Sequence, residues 1–286
     1  MTTPLLFNAG AGRGKLRAAL EARAARHGLE LVSVDGAEEA RRVAAELAAT
    51  HPRMLVAGGD GTVHHAIRGA DGADVTLGIV AVGTGNDFAR ALGLPAELEP
   101  ALERALRAEP VNIDLGRAAG VPFAGIAGVG IVADVLTYLE ACGRRYRGNW
   151  VYPWAVLRTV VAYRAVHVDV VAEADRFSGP VMMAAAANAP RFGGGMRAAP
   201  EASMRDGLLD IVVLKETSRA GLVRLLPRVY KGTHVTHPAC RLFRAREARF
   251  DSRPAADIYA DGERMPVRTS PETRLSVEPG RLRVAI

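Results

Sequence analysis

An apolar run, Leu55-Val56-Ala57, ends in Gly58-Gly59-Asp60-Gly61-Thr62, and no other stretch constrains the fold of this chain so strongly. Residues 64–68 then read as a helix. A strand that turns into a helix through bare glycines brings backbone N–H groups to a helix N-terminus, where orphan donors and the dipole together favour an anion. Glycine admits positive φ and lets a phosphate come close. Asp60 is the odd member, because a carboxylate repels phosphate unless a cation lies between them, and that suggests Mg²⁺, met directly or through water. The same residues also describe a tight turn in which Asp60 or Thr62 caps the helix. A second turn of the same design, Gly83-Thr84-Gly85-Asn86-Asp87-Phe88-Ala89-Arg90, follows the apolar run 77–82. Two such turns on neighbouring strands favour the phosphate reading.

The rest of the first half repeats strand and helix. Residues 4–8 read as a buried strand, and Ala9-Gly10-Ala11-Gly12-Arg13-Gly14-Lys15 as a glycine-rich turn into a helix at 16–27. Its spacing is not that of a Walker A loop. A strand at 29–34 and a helix at 38–49 precede the two phosphate turns, and a helix at 95–109 and a strand at 111–116 follow them. This βαβα order predicts a parallel sheet covered on both faces. The second half changes character. It opens with glycine-rich residues 123–130, a helix at 131–140 and a more apolar helix at 151–163. Strand-type runs then dominate, at 167–172, 181–188, 208–215, 241–250, 257–260, 274–277 and 281–286. Pro254, Pro266, Pro271 and Pro279-Gly280 punctuate them, and a helix at 219–230 interrupts them. An antiparallel sandwich is the expectation.

The chain has 286 residues, room for two domains and a real core. Its net charge is +6, carried almost wholly by arginine since only Lys15, Lys215 and Lys231 are lysines. That suits phosphate or anionic lipid, although base composition of a genome produces the same bias. Cys142 and Cys240 form no paired motif, which points to a reducing cytoplasm. Residues 1–11 do not read as a secretory signal, and the most apolar stretch, 150–171, contains Arg158, Arg164, His167 and Asp169.

Three further places carry chemistry. Gly193-Gly194-Gly195 is either a backbone that must stay uncovered or a mobile loop, and Asp206-Gly207 reads as a turn into the next strand. Tyr259-Ala260-Asp261-Gly262-Glu263 places a carboxylate at a strand end with a second acid two residues on, an arrangement able to accept a hydroxyl proton; Asp-Gly is equally a hairpin turn. His234, His237 and Cys240 lie three apart without a fourth ligand at metal-like spacing, and His64-His65 reads as a helix surface rather than a metal pair.

Taken together, G-G-D-G-T and G-T-x-N-D-F-A-R resemble the bacterial soluble lipid kinases of the diacylglycerol kinase catalytic-domain type, relatives of sphingosine and ceramide kinases. NAD kinases share the first motif but lack the second. The resemblance runs from Asn8 to Glu263 with motifs in order, departing at Ala9 and Ala11, where the family has proline and serine, and at Ala81, where it has proline. It implies an N-terminal doubly wound α/β nucleotide-binding domain, residues 1–115, and a C-terminal antiparallel β-sandwich, residues 116–286, with the active site in the cleft between them. It implies ATP-dependent phosphorylation of a lipid hydroxyl, diacylglycerol first among candidates. Nucleotide would be held by Asn8, Ala9, Gly10, Ala11, Gly12, Gly58, Gly59, Asp60, Gly61, Thr62, Gly83, Thr84, Asn86 and Asp87. Asp261 would be the general base with Glu263 orienting it, and Mg²⁺ would be held structurally by Asp206 with the carbonyls of Ser203 and Leu208. It implies a cytoplasmic protein that meets its lipid peripherally at the inner membrane surface, binds no nucleic acid, and has room to form a homodimer. An NAD kinase-like enzyme and a non-catalytic lipid or nucleotide sensor are the alternatives.

Overall fold

β1 (Thr3–Asn8) lies between β2 (Leu29–Val34) and β3 (Arg53–Gly58), and β4 (Thr76–Ala81) follows β3, so the parallel order is 2-1-3-4. The computed structural model describes residues 2–9, 15–142, 155, 158–160 and 163–286; Gly10, Ala11, Gly12 and most of the helix expected at 151–163 lie outside them. Pro4 to Phe7, Met54 to Gly58 and all of β4 are buried without alternation, as strands covered on both faces must be.

The connecting helices are α1 (Lys15–His27), α2 (Ala37–Thr50), α3 (Asp60–Gly69), α4 (Asp87–Ala91) and α5 (Leu98–Arg107). Leu20 of α1 and Ala101, Leu102 and Ala105 of α5 pack on Leu5, Phe7, Leu55, Ala57 and Val80. Leu6 and Val56, of opposite parity, point to the other face by strand alternation. There α2 and α3 pack on one another and on β1 and β3. The chain thus winds one way from β1 to β2 and the other way from β3 to β4.

Two compact units result, one of Met1–Leu115, Pro122–Ala124 and Pro279–Ile286, the other of Gly116–Val121 and Gly125–Glu278. Beside the division at 115/116 read from the sequence, two short pieces change sides, because residues near the C-terminus return to the first unit. Arg283 and Val284 pair in parallel with Thr76 and Leu77 of β4.

The second unit is antiparallel and sandwich-like. After β5 (Pro110–Ala118) and β6 (Val121–Phe123), β7 (Ile126–Gly130) leads into α6 (Ile131–Cys142). β8 (Val166–Ala172) and the twelve-residue β9 (Arg176–Ala187) come next, then β10 (Leu209–Lys215), the helix Arg219–Lys231, β11 (Cys240–Ala245) and β12 (Glu247–Arg253). β13 (Asp257–Ala260), β14 (Glu263–Arg268) and the first part of β15 (Arg274–Ala285), as far as Glu278, complete it. β9 belongs to both layers: residues 176–181 pair with β8, while residues 183–187 pair with β7 and with β10. A strand that bends from one layer into the other is one way a sandwich makes its corner. Met182, Met183, Ala185, Val212, Leu214, Leu222 and Leu225 are in its core.

Candidate functional site

Open α/β sheets take ligands beyond the carboxyl ends of their strands, where the winding reverses. Here that place lies between β1 and β3, whose last residues are Asn8 and Gly58. Ala9 extends β1 by donating its N–H to the Val34 carbonyl at 3.0 Å. The first turn leaves Gly58 and enters α3, and the second leaves Ala81 and enters α4. The two turns lie back to back. A Cβ added at Gly83 would stand 2.5 Å from the Gly59 Cα and 2.8 Å from the Asn86 Oδ1, so only glycine fits at this crossing.

Side chains fasten the pair. Asn86, left-handed at φ 56°, accepts the Gly83 N–H at 2.9 Å through Oδ1 and donates through Nδ2 to the Gly83 carbonyl at 2.9 Å. Asp60 Oδ1 accepts the Phe88 N–H at 3.3 Å. The capping anticipated for Asp60 or Thr62 on its own helix is therefore not what forms. Gly59 is the N-cap of α3 without a side-chain bond, and Asp60 serves the start of α4. Burial, and then the charge of Asp87, raise the Asp60 carboxyl above its ordinary range, against the pull of backbone N–H groups at 86–88. Asp87 and Thr62 are buried, Gly61 is half-buried and Thr84 is exposed. The expected helix-surface pair His64-His65 is instead buried, its rings edge to face at 5.1 Å, because α3 is enclosed by β3 and α2.

In the second unit Asp261 and Gly262, at φ 52° and 89°, form the two-residue turn between β13 and β14, with Ala260 opposite Glu263. This is the hairpin turn that Asp-Gly favours. The acids stand on either side of a chain reversal, so strand alternation does not relate them. Asp261 is nevertheless held by more than its turn. Its Oδ1 accepts the Gly125 N–H at 2.8 Å and the Ile126 N–H at 3.1 Å, and its N–H donates to the Ile126 carbonyl at 3.1 Å. A Cβ on Gly125 would lie 2.8 Å from that Oδ1. The Gly125 carbonyl accepts in turn from the N–H groups of Asn188 and Ala189. Gly125 and Ile126 escaped sequence reasoning because they lie some 135 residues from Asp261.

Asp206 Oδ1 accepts the Leu208 N–H at 3.1 Å and Ser203 Oγ the Arg205 N–H at 3.2 Å, so 203–208 is a side-chain-braced turn. Two residues on, Asp210 has a wholly buried side chain paired through Oδ1 with Arg244 Nε at 3.2 Å. Burial raises its carboxyl despite that partner. The final acid of D-G-L-L-D was the available signal for it. His234 Nε2 bonds the Ala198 carbonyl at 3.0 Å and His237 Nδ1 accepts the Ala239 N–H at 3.1 Å. Burial pushes the Cys240 thiol up to about 11, away from the thiolate that zinc requires. Among the described residues, no three His, Cys, Asp or Glu side chains converge on one point, and no helix is long and apolar enough to cross a membrane.

The diacylglycerol kinase catalytic domain profile matches residues 3–118, and the YegS C-terminal NAD kinase beta sandwich-like domain profile matches residues 125–286. A diacylglycerol kinase of Mycobacterium tuberculosis is 33% identical over 253 residues, covering 85% of this chain and 81% of its own. The crystal structure of a diacylglycerol kinase from Bacillus anthracis superposes with TM-score 0.77 at 20% identity, covering 99% of this chain and 96% of that one. Yeast NADH kinase complexed with NADH superposes with TM-score 0.51 at 10% identity over 99% of this chain and 82% of that one, a likeness of fold. The two profiles share the chain between them as the α/β and sandwich-like units do, and the chain belongs to the diacylglycerol kinase family of lipid kinases.

Proposed function

We propose that this lipid kinase transfers the γ-phosphoryl group of ATP to the free hydroxyl of diacylglycerol, giving phosphatidic acid. The observation that carries the nucleotide end is the fastening of the two glycine turns, by the Gly59–Gly83 crossing and the Asp60–Phe88 bond, beyond the carboxyl ends of β3 and β4. Exposed backbone N–H groups there suit phosphate oxygens, with Asn8 and Ala9 at the end of β1 beside them in the sheet order. Asn86 acts through Gly83, whose amide and carbonyl it fixes.

Asp60 and Asp87 fit a divalent cation. Burial first and the Asp87 charge second raise the Asp60 carboxyl, and a cation between carboxylate and phosphate would offset both. Mg²⁺ bound there would offset charge on the phosphates. Asp206, whose carboxylate is braced by the Leu208 N–H, would hold a structural Mg²⁺ together with the carbonyls of Ser203 and Leu208, an all-oxygen set suited to that ion. At the acceptor end Asp261 takes the hydroxyl proton as that oxygen bonds the γ-phosphorus and the β–γ bridge breaks, releasing ADP. Gly125 and Ile126 hold the carboxylate for that task. Glu263, across the turn, is the residue to change next if Asp261 is not the base.

The test is labelled phosphate transfer from ATP to a panel of lipids and to NAD, with and without Mg²⁺. Diacylglycerol should be labelled. Asp261→Asn should lower that rate by roughly 10²- to 10⁴-fold, with ATP affinity unchanged and the rise of rate with pH gone. Label on NAD and on no lipid would overturn the acceptor, and a wild-type rate in Asp261→Asn would move the base elsewhere.

A further inference from the structure

From residue 217 to residue 246 the chain runs through thirty residues without a carboxylate, bounded by Glu216 and Glu247, while carrying Arg219, Arg224, Arg228, Lys231, Arg241, Arg244 and Arg246. In a protein of net charge +6, this is where the surplus is concentrated. Arg241 and Arg244 have partners, Asp175 and Asp210. Arg228 donates to the Thr233 carbonyl and to Thr236 Oγ1. Arg219, Arg224 and Lys231 form no ion pair among the described residues, and all three are exposed on the helix Arg219–Lys231.

That helix is two-sided. Leu222 and Leu225 are buried in the core of the second unit and Leu226 packs against it. Arg219, Val223, Arg224, Pro227, Tyr230 and Lys231 are exposed. With 3.6 residues per turn, these six positions fall in one stripe of roughly 140° of arc. Tyr230, Val223 and Pro227 occupy its middle, with Arg219 at one edge and Lys231 and Arg224 at the other. Val223, at 42% exposure, and Tyr230, at 38%, are two of the three large hydrophobic side chains exposed among the described residues. The third, Val171, is on β8.

We propose that this stripe docks the enzyme on an anionic bilayer, with Val223, Pro227 and Tyr230 entering the interface and Arg219, Arg224 and Lys231 meeting lipid phosphates. The proposal rests on the acceptor being a bilayer lipid. An apolar centre edged by cations and free of acids is the pattern of a helix face lying in the interfacial plane. Each cation near an anionic leaflet contributes about fivefold to partitioning. Charge complementarity thus favours phospholipid headgroups over a protein groove, which would be expected to answer chiefly the apolar positions.

Sedimentation with vesicles tests it, comparing phosphatidylglycerol–phosphatidylcholine mixtures with phosphatidylcholine alone. Wild type should bind the anionic vesicles only. Arg219→Gln/Arg224→Gln/Lys231→Gln should bind them roughly 100-fold more weakly, and Val223→Asp should also weaken binding, with melting temperatures kept. Both variants should phosphorylate diacylglycerol in neutral detergent micelles at the wild-type rate. Micelle assays silent for every lipid, with the vesicle results intact, would leave the docking surface standing and remove the diacylglycerol reaction. The surface is overturned if wild type ignores anionic vesicles or if the triple variant binds them normally. It is likewise overturned if Val223→Asp splits a dimer while vesicle binding persists, which would make the face a contact between copies.

Discussion

Asp60 has two duties that pull its proton in opposite directions. The bond from the Phe88 N–H favours the ionised carboxylate, whereas burial and the neighbouring Asp87 disfavour it and prevail. A native state that keeps this proton longer than the unfolded chain loses stability as pH rises from the ordinary carboxylate range through the raised folded value, and the loss is complete above it. Asp60→Asn keeps an oxygen for Phe88 and removes the charge. At pH 7 without Mg²⁺ it should therefore melt about 2–4 °C higher than wild type, the size of a ~1 kcal/mol gain. Its kinase rate should fall at least roughly 100-fold, and stabilisation by Mg²⁺ should be smaller than in the wild type, reduced to what the Asp206 site contributes. A lower melting point would show that the carboxylate is structural. Asp60 stood out in the sequence as an acid among phosphate-friendly glycines, but its partner did not, since Phe88 lies 28 residues away in another turn. Gly125 was hidden for the same reason. Gly125→Ala pushes a Cβ against Asp261 Oδ1 and should lower kcat roughly tenfold with little change in the KM for ATP, a split that separates misplacement of the carboxylate from loss of nucleotide binding.

At the scale of elements, the crossing of the two turns should be less tolerant than either turn alone. Gly83→Ala sets a Cβ against Gly59 backbone rather than against a movable side chain, and should weaken ATP binding while costing about 1–3 kcal/mol of stability in chemical denaturation. Normal affinity would mean that the crossing does not shape the nucleotide site. His234 gives a second element-level expectation. Burial lowers its imidazole below the ordinary value against the opposing pull of the Ala198 carbonyl, so the unfolded chain binds a proton that the buried native ring refuses. Stability is present above pH ~6.5 and falls below it, at up to about 1.4 kcal/mol per pH unit until the folded value is reached. His234→Gln should flatten that part of a melting-temperature profile. The parallel strands were legible because buried runs and glycine turns alternate in the sequence. The sandwich strands were legible in place but not in extent. Residues 241–250, which read as one strand, part at Arg246 because β11 pairs with β10 and β12 with β8 and β15. Pro279-Gly280, read as a turn, lies within β15, where the Gly280 N–H donates to Asp114 at 2.8 Å. Partner choice of this kind is long-range and leaves no local pattern.

For the molecule as a whole, the motifs were the most readable feature and the closing of the first unit the least. β4 pairs with β3 on one edge and with Arg283 and Val284 on the other, so the first unit draws the strand beside β4 from near the C-terminus. Arg283 adds an ion pair to Asp74 there. Deleting residues 279–286 should lower the stability of the α/β unit and increase aggregation, read by light scattering on heating; an unchanged melting profile would show that the returning strand is dispensable. The same feature sets the timing of synthesis. By the time residue 124 has been translated, both glycine turns of this protein exist, yet β4 still presents an unpaired edge of Thr76-Leu77 backbone to solvent. That edge waits for about 160 more residues to be added. A stalled or prematurely released chain is therefore a ready template for strand exchange with its neighbours on the polysome, and the emergence of Arg283 and Val284 is itself the step that covers this edge.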